Sequence, residues 1–181
     1  MLLCSLPLLA ENDKILKLAS PDGSHSVSFW QEAATDGTNG VRYSVSYKDR
    51  PVVEASRAGL ELDNRVWEMA LGFRDLKQPK CWMDLLEVDS VVVQPSVDKT
   101  WHPLYGERST VRDHYNAATL CLLRKDRSRY RLNIEVRAYD EGIAFRYFFP
   151  EHPQAIFHKV VGDLTEYTFP EGTMAWSEQW A

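Results

Sequence analysis

The amino-acid sequence predicts an all-β fold, an antiparallel β-sandwich, and three observations support this prediction. Short runs of alternating apolar and polar residues recur along the chain, each about as long as a strand. Turn residues, mainly Gly, Pro, Asp and Asn, separate these runs, which is typical of consecutive hairpins. No amphipathic pattern of helical period extends beyond about three turns, where an average helix begins. Because hairpins place consecutive strands side by side, we expect antiparallel sheets and favour a sandwich over a closed barrel.

The first third of the chain contains predicted strands joined by tight turns. Ser20-Pro21-Asp22-Gly23 and Lys48-Asp49-Arg50-Pro51 carry the turn signals. In residues 41–47 every second side chain is apolar or aromatic, the period of a strand with one buried face. The predicted strands are 15–19, 24–30, 41–47, a short strand that opens at Val52 and Val53, and 60–62.

The rest of the chain is less uniform. Residues 64–86 mix apolar and charged side chains, and we expect a short helix or an irregular excursion there. The strongest hairpin pairs residues 129–137 with 143–149 across the turn Tyr139-Asp140-Glu141-Gly142, whose two acids are expected to face solvent. The other predicted strands are 90–94, 119–124, 156–161 and 166–169.

The amino terminus predicts export. Residues 1–10, MLLCSLPLLA, resemble the apolar core and cleavage end of a secretory signal whose basic start is missing. The segment is shorter than the roughly 20 apolar residues that span a bilayer. We therefore expect a periplasmic or otherwise exported protein with no membrane span, in which residues 11–181 form the sandwich. The alternative is that residues 1–10 form a buried first strand.

Charge and cysteine content narrow the possible functions. The formal net charge of −5 argues against a nucleic-acid-binding protein, which would need a basic face. Outside the amino-terminal segment the chain has two cysteines, Cys81 and Cys121. Their spacing matches no metal or redox motif. They could form a disulfide in an exported protein or remain two buried free thiols, and the sequence leaves both open.

One stretch is rich in side chains that contact sugars. Residues 100–116, TWHPLYGERSTVRDHYN, are predicted to form a long loop, and long loops on rigid sheets often carry function. Aromatic rings stack on sugar faces, and charged groups hydrogen-bond hydroxyls. The candidate contacts to substrate or to another domain are Trp101, Glu107, Arg112, Asp113 and His114. The alternative is a structural loop in which Arg112 pairs with Asp113 or Glu107.

An ordered set of motifs resembles the amino-terminal domain of glycoside hydrolase family 97. The match runs from about Leu18 to Trp176. It is carried by Ser20-Pro21-Asp22-Gly23, Tyr43-Ser44-Val45-Ser46-Tyr47, Gly59-Leu60-Glu61-Leu62, Thr100-Trp101-His102-Pro103 with Gly106-Glu107, Arg112-Asp113-His114-Tyr115-Asn116, and Arg137-Ala138-Tyr139-Asp140-Glu141-Gly142-Ile143-Ala144-Phe145-Arg146-Tyr147.

The resemblance implies a fold and a function for the whole enzyme. Family members are exported enzymes of polysaccharide-degrading bacteria that act on α-glucosides or α-galactosides. Their first domain is a β-super-sandwich similar to mutarotase-like sugar-enzyme sandwiches, and a (β/α)8 barrel with the catalytic carboxylates follows it. A calcium ion in the active site is held partly by a glutamate late in the first domain. Glu178 is the nearest candidate for that glutamate in this chain.

This chain departs from the family pattern because it ends at Ala181. Glycoside hydrolysis needs two carboxyl groups about 5–9.5 Å apart, and no pair here is assigned to that task. We expect a sandwich truncated before a missing (β/α)8 catalytic barrel, with carbohydrate and that barrel as partners. Calcium is expected in the full-length enzyme and not in this fragment. The alternatives are a free-standing carbohydrate-binding module and a ligand-free structural fragment.

Overall fold

The computed structural model describes residues 15–33, 39–74, 76–153 and 157–176. Within these ranges the chain is built mainly of β-strands, with one short α-helix and one 3-10 helix. The elements are β1 (Leu16–Ala19), β2 (His25–Ala33), β3 (Asn39–Tyr47), β4 (Arg50–Ala58), β5 (Leu60–Leu62), α1 (Arg65–Ala70), the 3-10 helix Trp82–Leu85, β6 (Leu86–Trp101), β7 (Val111–Arg124), β8 (Arg131–Tyr139), β9 (Gly142–Phe148) and β10 (Val160–Asp163).

The strands form two four-stranded sheets that follow the order of the sequence. The first sheet has the order β1-β2-β3-β4 and the second has the order β6-β7-β8-β9. All neighbouring strands are antiparallel, and β10 pairs with β5 in a separate two-stranded ribbon. Strand β1 lies against β7, and β2 lies against β8 and β9. The predicted antiparallel β-sandwich is therefore confirmed.

Aromatic rings join the two sheets in the core. Phe29 on β2 and Tyr43 on β3 are almost completely buried. The ring of Phe145 on β9 lies edge-on to both, with ring centroids 5.9 Å from Phe29 and 5.2 Å from Tyr43. Edge-to-face packing adds to the gain from apolar burial. The alternating apolar faces that predicted β2, β3 and β9 are thus the faces that meet between the sheets.

The segment between the sheets contains the expected short helix and irregular chain. Helix α1 and the 3-10 helix both lie in it, and Arg57 on β4 pairs with Asp84 of the 3-10 helix. Gly59 packs closely here, because a Cβ at this position would lie 2.9 Å from Cys81 Sγ. The Gly59 N–H donates to the hydroxyl of Tyr147 at 3.0 Å, and this hydrogen bond connects β9 with the chain between β4 and β5.

Three strand predictions need correction. Strand β4 has nine residues, because it pairs with β3 from Arg50 to Ala58 rather than only near Val52. Residues 166–169 are not a strand, although Glu166 N–H donates to Arg57 O and Thr168 O accepts from Glu54 N–H, both at 2.8 Å. The predicted strand 156–161 is replaced by β10, and residue 156 lies outside the described residues.

The two cysteines are free thiols in the structure. Cys81 is buried before the 3-10 helix, and Cys121 is half-buried on β7. Both the segment 1–10 and Glu178 lie outside the described residues. No helix in the described part of the chain is long and apolar enough to cross a membrane.

Candidate functional site

Residues 100–116 form an extended hairpin rather than the predicted long loop. Trp101 ends β6 and pairs with Val111, which begins β7, so the connecting segment is only residues 102–110. The outer parts of β6 and β7 continue the ladder beyond a register shift between Gln94 and Val97. We call residues 95–117 the β6–β7 arm. Its β6 strand is mostly exposed and its β7 strand is mostly half-buried, with Tyr115 the one buried residue of the two, so the apolar alternation that would have predicted them is weak.

The inner face of the arm carries a two-point ion pair. Residues two apart share a face of a strand, so Arg112 and His114 continue the side on which Leu120 faces the core. Arg112 Nε and Nη2 donate to the two carboxylate oxygens of Asp98, each at 2.7 Å. This bonding lowers the pKa of Asp98. The alternative of a structural loop predicted that Arg112 pairs with an acid, and this is the case. The predicted partners, Asp113 or Glu107, were wrong, because the partner is Asp98.

At the root of the arm, polar contacts connect the two sheets. His114 Nδ1 lies 3.3 Å from Asp140 Oδ2, and the backbone N–H of Asp22 donates to Asp140 Oδ1 at 2.9 Å. Asn116 Nδ2 donates to the carbonyl of Ala19 at 2.9 Å. The expectation that Asp140 faces solvent holds only in part, because its side chain is 30% exposed and its carboxylate also accepts from the β1–β2 turn. Glu141 is exposed as expected.

The carboxylate of Asp22 organises the β1–β2 turn. Ser20 Oγ and the backbone N–H of Ser24 donate to Asp22 Oδ1, at 2.6 and 2.8 Å. These hydrogen bonds lower the pKa of Asp22 well below its usual range. The turn that meets the arm is therefore fixed by its own side chains.

The outer face of the arm holds Asp113, and β8 adds an arginine that the sequence did not predict as a site residue. Asp113 is opposite Lys99 in the ladder. Next to it, the guanidinium of Arg137 lies 4.5 Å from the ring centroid of Tyr115, and Arg137 Nη1 donates to the hydroxyl of Tyr139 at 3.2 Å. The alternation of Arg137 and Tyr139 on β8 was the available signal, but their contact with Tyr115 required the register of β7 against β8.

The tip of the arm is exposed and partly apolar. Leu104 is 100% exposed, Tyr105 is 91% exposed and Trp101 is 52% exposed. Glu107 is exposed on the same segment. His102 Nδ1 donates to the carbonyl of Ser109 at 3.0 Å, which closes the tip. The predicted site residues thus divide among the tip, the inner face and the outer face of one arm and do not surround a single pocket.

The described residues do not form a metal centre. Within residues 15–33, 39–74, 76–153 and 157–176, no three His, Cys, Asp or Glu side chains are grouped to hold a metal ion. Asp98 of the arm is paired with Arg112, and Asp140 of the β8–β9 turn lies 3.3 Å from His114 Nδ1. The arrangement can contact polar and apolar groups of a partner.

Comparison with known proteins gives one family. A family model described as Glycosyl-hydrolase 97 N-terminal matches residues 18–181. A retaining α-galactosidase of Bacteroides thetaiotaomicron is 29% identical over 173 residues, which are 96% of this chain and 21% of that protein.

Solved structures share the fold of this chain. A glycoside hydrolase family 97 enzyme in complex with acarbose, from Pseudoalteromonas sp. strain K8, has a TM-score of 0.66 at 22% identity and covers 86% of this chain and 20% of its own. A β-arabinopyranosidase has a TM-score of 0.65 at 20% identity and covers 86% of this chain and 21% of its own. This chain spans about a fifth of the length of these relatives. It belongs to the amino-terminal domain family of glycoside hydrolase 97.

Proposed function

We propose that this domain is the non-catalytic amino-terminal sandwich of an exported glycoside hydrolase that acts on α-glucosides or α-galactosides. In the whole protein it packs against a (β/α)8 barrel of the same polypeptide, and its β6–β7 arm helps to shape the substrate pocket. The observation that carries the proposal is the fully exposed apolar tip of the arm, on a chain that spans about a fifth of its relatives.

The exposed tip supports a docking role. Contiguous apolar side chains on a surface commonly mark a contact with another protein surface. Leu104 and Tyr105 are adjacent at the end of a two-stranded arm, where this domain does not cover them. The hydrogen bond from Asn116 to Ala19 and the proximity of His114 to Asp140 hold the root of the arm against the sandwich, which limits the direction of the tip.

The polar residues of the arm are suited to the rim of a sugar pocket. Barrel active sites lie at the carboxyl ends of the barrel strands, where a loop of a neighbouring domain can reach. Trp101 and Glu107 are placed at the tip, so they are the candidates for direct contact with substrate. Arg112, Asp113 and His114 lie on the strands behind it and would orient the tip or contact the barrel.

The substrate class and the metal are part of the proposal. The α-galactosidase relative supports α-galactosides, and the acarbose complex of the structural relative is consistent with α-glucosides. Calcium in the full-length enzyme would need ligands beyond the described residues, which do not group three ligating side chains. Glu178 is the candidate ligand of this chain, and calcium titration of the longer protein with Glu178→Gln would test it.

Export is also part of the proposal. The apolar residues 1–10 support a secretory signal, and a periplasmic enzyme is the result expected. Fractionation of cells that express the natural gene tests this point, because a protein retained in the cytoplasm would contradict it.

The decisive test of the domain assignment is the nucleotide sequence downstream of the codon for Ala181. We expect an open reading frame that continues into a barrel with two carboxylates suited to glycoside hydrolysis. A stop codon directly after Ala181 in the natural gene would contradict the proposal.

In the longer protein, Asp113→Ala tests the arm. We expect a kcat/KM lowered by about tenfold, equivalent to about 1.4 kcal/mol, or a lower melting temperature if the arm no longer docks. Asp89→Ala is the matched control, because Asp89 is an exposed carboxylate of the same strand pair outside the arm. If kcat/KM and the melting temperature are unchanged in both variants, Asp113 is not part of the site.

A further inference from the structure

A groove lined by basic side chains lies at the end of the sandwich away from the arm. It has a volume of about 530 Å³ and follows the turn between β7 and β8. Its lining residues are Arg127, Ser128, Arg129, Arg131, Glu151, His152 and Pro153. We call it the basic groove. The arm includes the start of β7, whereas this turn follows the end of β7. Arg112 and Arg124 are therefore about 40 Å apart along the strand.

The basic groove concentrates positive charge in an acidic protein. Residues 124–131, RKDRSRYR, contain five basic residues and one acid, whereas the whole chain has a net charge of −5. The nearby acids already have partners, because Asp126 is bonded to Arg124 and Glu87 to Lys125. Glu151 is the one carboxylate that lines the groove.

Two arginines of the basic groove have no acidic partner. Arg129 and Arg131 are both exposed, and neither lies within ion-pair distance of a carboxylate in the part of the chain that the structure describes. Arg129 also has a left-handed backbone, with φ of 51°, a conformation that Gly or Asn adopts more easily. The groove therefore presents guanidinium groups that are available to a ligand.

The walls of the basic groove are fixed by contacts with the core. His152 Nε2 donates to the carbonyl of Ser128 at 3.0 Å, and its ring lies edge-on to Tyr130 with centroids 5.7 Å apart. On the opposite wall the guanidinium of Arg127 lies 5.8 Å from the ring centroid of Phe73. A groove with fixed walls loses less entropy when it binds a ligand.

Positive charge continues into a neighbouring groove. This second groove has a volume of about 560 Å³ and shares Arg127 with the first. It is also lined by Arg124, which is only 2% exposed and whose Nη1 has no hydrogen-bond partner among the described residues. The two grooves adjoin at Arg127, but Glu87 and Asp126 also line the second groove and pair with Lys125 and Arg124, so the surplus of positive charge lies mainly in the basic groove.

We propose that the basic groove binds an acidic polysaccharide through its sulfate or carboxylate groups. Guanidinium groups bind such oxyanions through paired hydrogen bonds, and Arg129 and Arg131 are free to do so. Each groove has the volume of a small-molecule pocket, which fits one or two sugar rings better than the flat surface of a protein. Membership of a glycoside hydrolase family makes a glycan the ligand that the observations favour.

Calorimetric titration of the 181-residue chain tests the proposal. Dextran sulfate supplies sulfate groups, polygalacturonate supplies carboxylates, and uncharged dextran is the matched neutral polymer. We expect at least one of the acidic polymers to bind while dextran does not, with binding weakened when salt rises from about 50 to about 200 mM. Equal binding of dextran, or no binding of either acidic polymer, would overturn the proposal.

The double variant Arg129→Gln and Arg131→Gln identifies the groove. Because two charge-assisted contacts are lost, we expect affinity for the acidic polymer to fall by about tenfold or more. Arg50→Gln with Arg146→Gln is the control, since it removes the same charge from exposed strand positions and should keep wild-type affinity. Circular dichroism and melting confirm that both double variants are folded.

Three results of these experiments would contradict the assignment. Wild-type affinity in the groove variant would place binding elsewhere, and an equal loss in the control would show that only net charge matters. Binding of poly-aspartate as tight as that of the acidic polysaccharide, at equal charge, would show that the groove selects acidic protein rather than glycan.

Discussion

The two halves of β7 belong to one strand but are held by different forces. In residues 118–124 the side chains of Ala118, Leu120 and Leu122 face the opposite sheet and are each 1% exposed. In residues 111–117 the same face carries Arg112, which bonds to Asp98, and His114, which lies 3.3 Å from Asp140. Residues 118–124 are held by apolar burial, and residues 111–117 are held by a few polar pairs near solvent.

The difference decides where the stability of the domain resides. A fully buried leucine contributes about 1.5–3 kcal/mol through burial, whereas an exposed ion pair contributes about 0–1 kcal/mol. The body of the sandwich therefore stabilises the fold, and the arm can vary its side chains at little cost. This division is what we expect of a scaffold that presents a contact surface.

The largest expected effect comes from the buried half of β7. Leu120→Ala should lower the free energy of unfolding by about 2–5 kcal/mol, because it removes apolar contacts and leaves a cavity between the sheets. Urea unfolding of the 181-residue chain measures the change. Leu104→Ala at the exposed tip is the matched control and should change stability by less than about 0.5 kcal/mol. Similar losses in both would end the distinction between body and arm.

A buried hydroxyl sharpens the comparison with the polar pairs of the arm. The Tyr147 hydroxyl accepts from Gly59 N–H at 3.0 Å and bonds Thr165 Oγ1 at 2.7 Å. Burial raises the pKa of Tyr147 to about 12. Tyr147→Phe leaves the Gly59 N–H without this partner and should cost about 1–3 kcal/mol in thermal or urea unfolding. A loss of stability smaller than that expected for an exposed ion pair would show that the hydrogen bond from Gly59 contributes little.

The pH dependence of stability tests a histidine in the body. His158 stacks on Phe149 with centroids 4.4 Å apart and accepts from Asn64 Nδ2 at 3.0 Å. Burial lowers the pKa of His158 from 6.5 to about 4. Between these values the unfolded chain binds a proton that the folded chain does not. The stability that the neutral ring contributes is therefore complete above pH 6.5 and is lost as the pH falls towards 4.

His158→Gln removes this proton uptake. Allowing for partial exposure of the ring to solvent, the wild type should lose about 1–2 kcal/mol more than the variant when unfolding is measured at about pH 7 and about pH 4.5. Equal losses in the two proteins would show that His158 does not carry the acid sensitivity.

The smallest effect is expected for the ion pair of the arm. A double-mutant cycle with Arg112→Gln and Asp98→Asn should give a coupling energy close to the error of the measurement, because both side chains are more than half exposed and solvent screens them. Urea unfolding of the four proteins measures it. A coupling of several kcal/mol would mean that the arm is as important to the fold as the core.

The sequence predicts the strands of the body because each has one buried face. Strands β2, β3, β8 and β9 follow the alternation closely, and the turn at Asp140 was found from its residues alone. The arm was missed because the register shift near Pro95 interrupts the pattern and, beyond it, Tyr115 is the one buried residue of the two strands. With so few buried positions, alternation carries little signal.

The candidate site was predicted in its residues but not in its contacts. Trp101, Glu107, Arg112, Asp113 and His114 do share one arm, as their proximity in sequence suggests. Their partners depend on strand register and on the packing of the two sheets. Arg112 bonds Asp98 across a hairpin, and Asp140 bonds Asp22, which is 118 positions away in the chain.

The basic groove shows a further limit of composition. A net charge of −5 argued against partners that need a basic face, yet the turn after β7 gathers arginines in one groove. Net charge averages over the surface, whereas a ligand responds to local charge.

The central claim is that the tip of the arm is covered by the rest of the polypeptide. Hydrogen–deuterium exchange at residues 102–110 tests it directly, when the 181-residue chain is compared with the longer protein encoded by its gene. We expect rapid exchange in the short chain and clear protection in the longer one. Equally rapid exchange in both would contradict it.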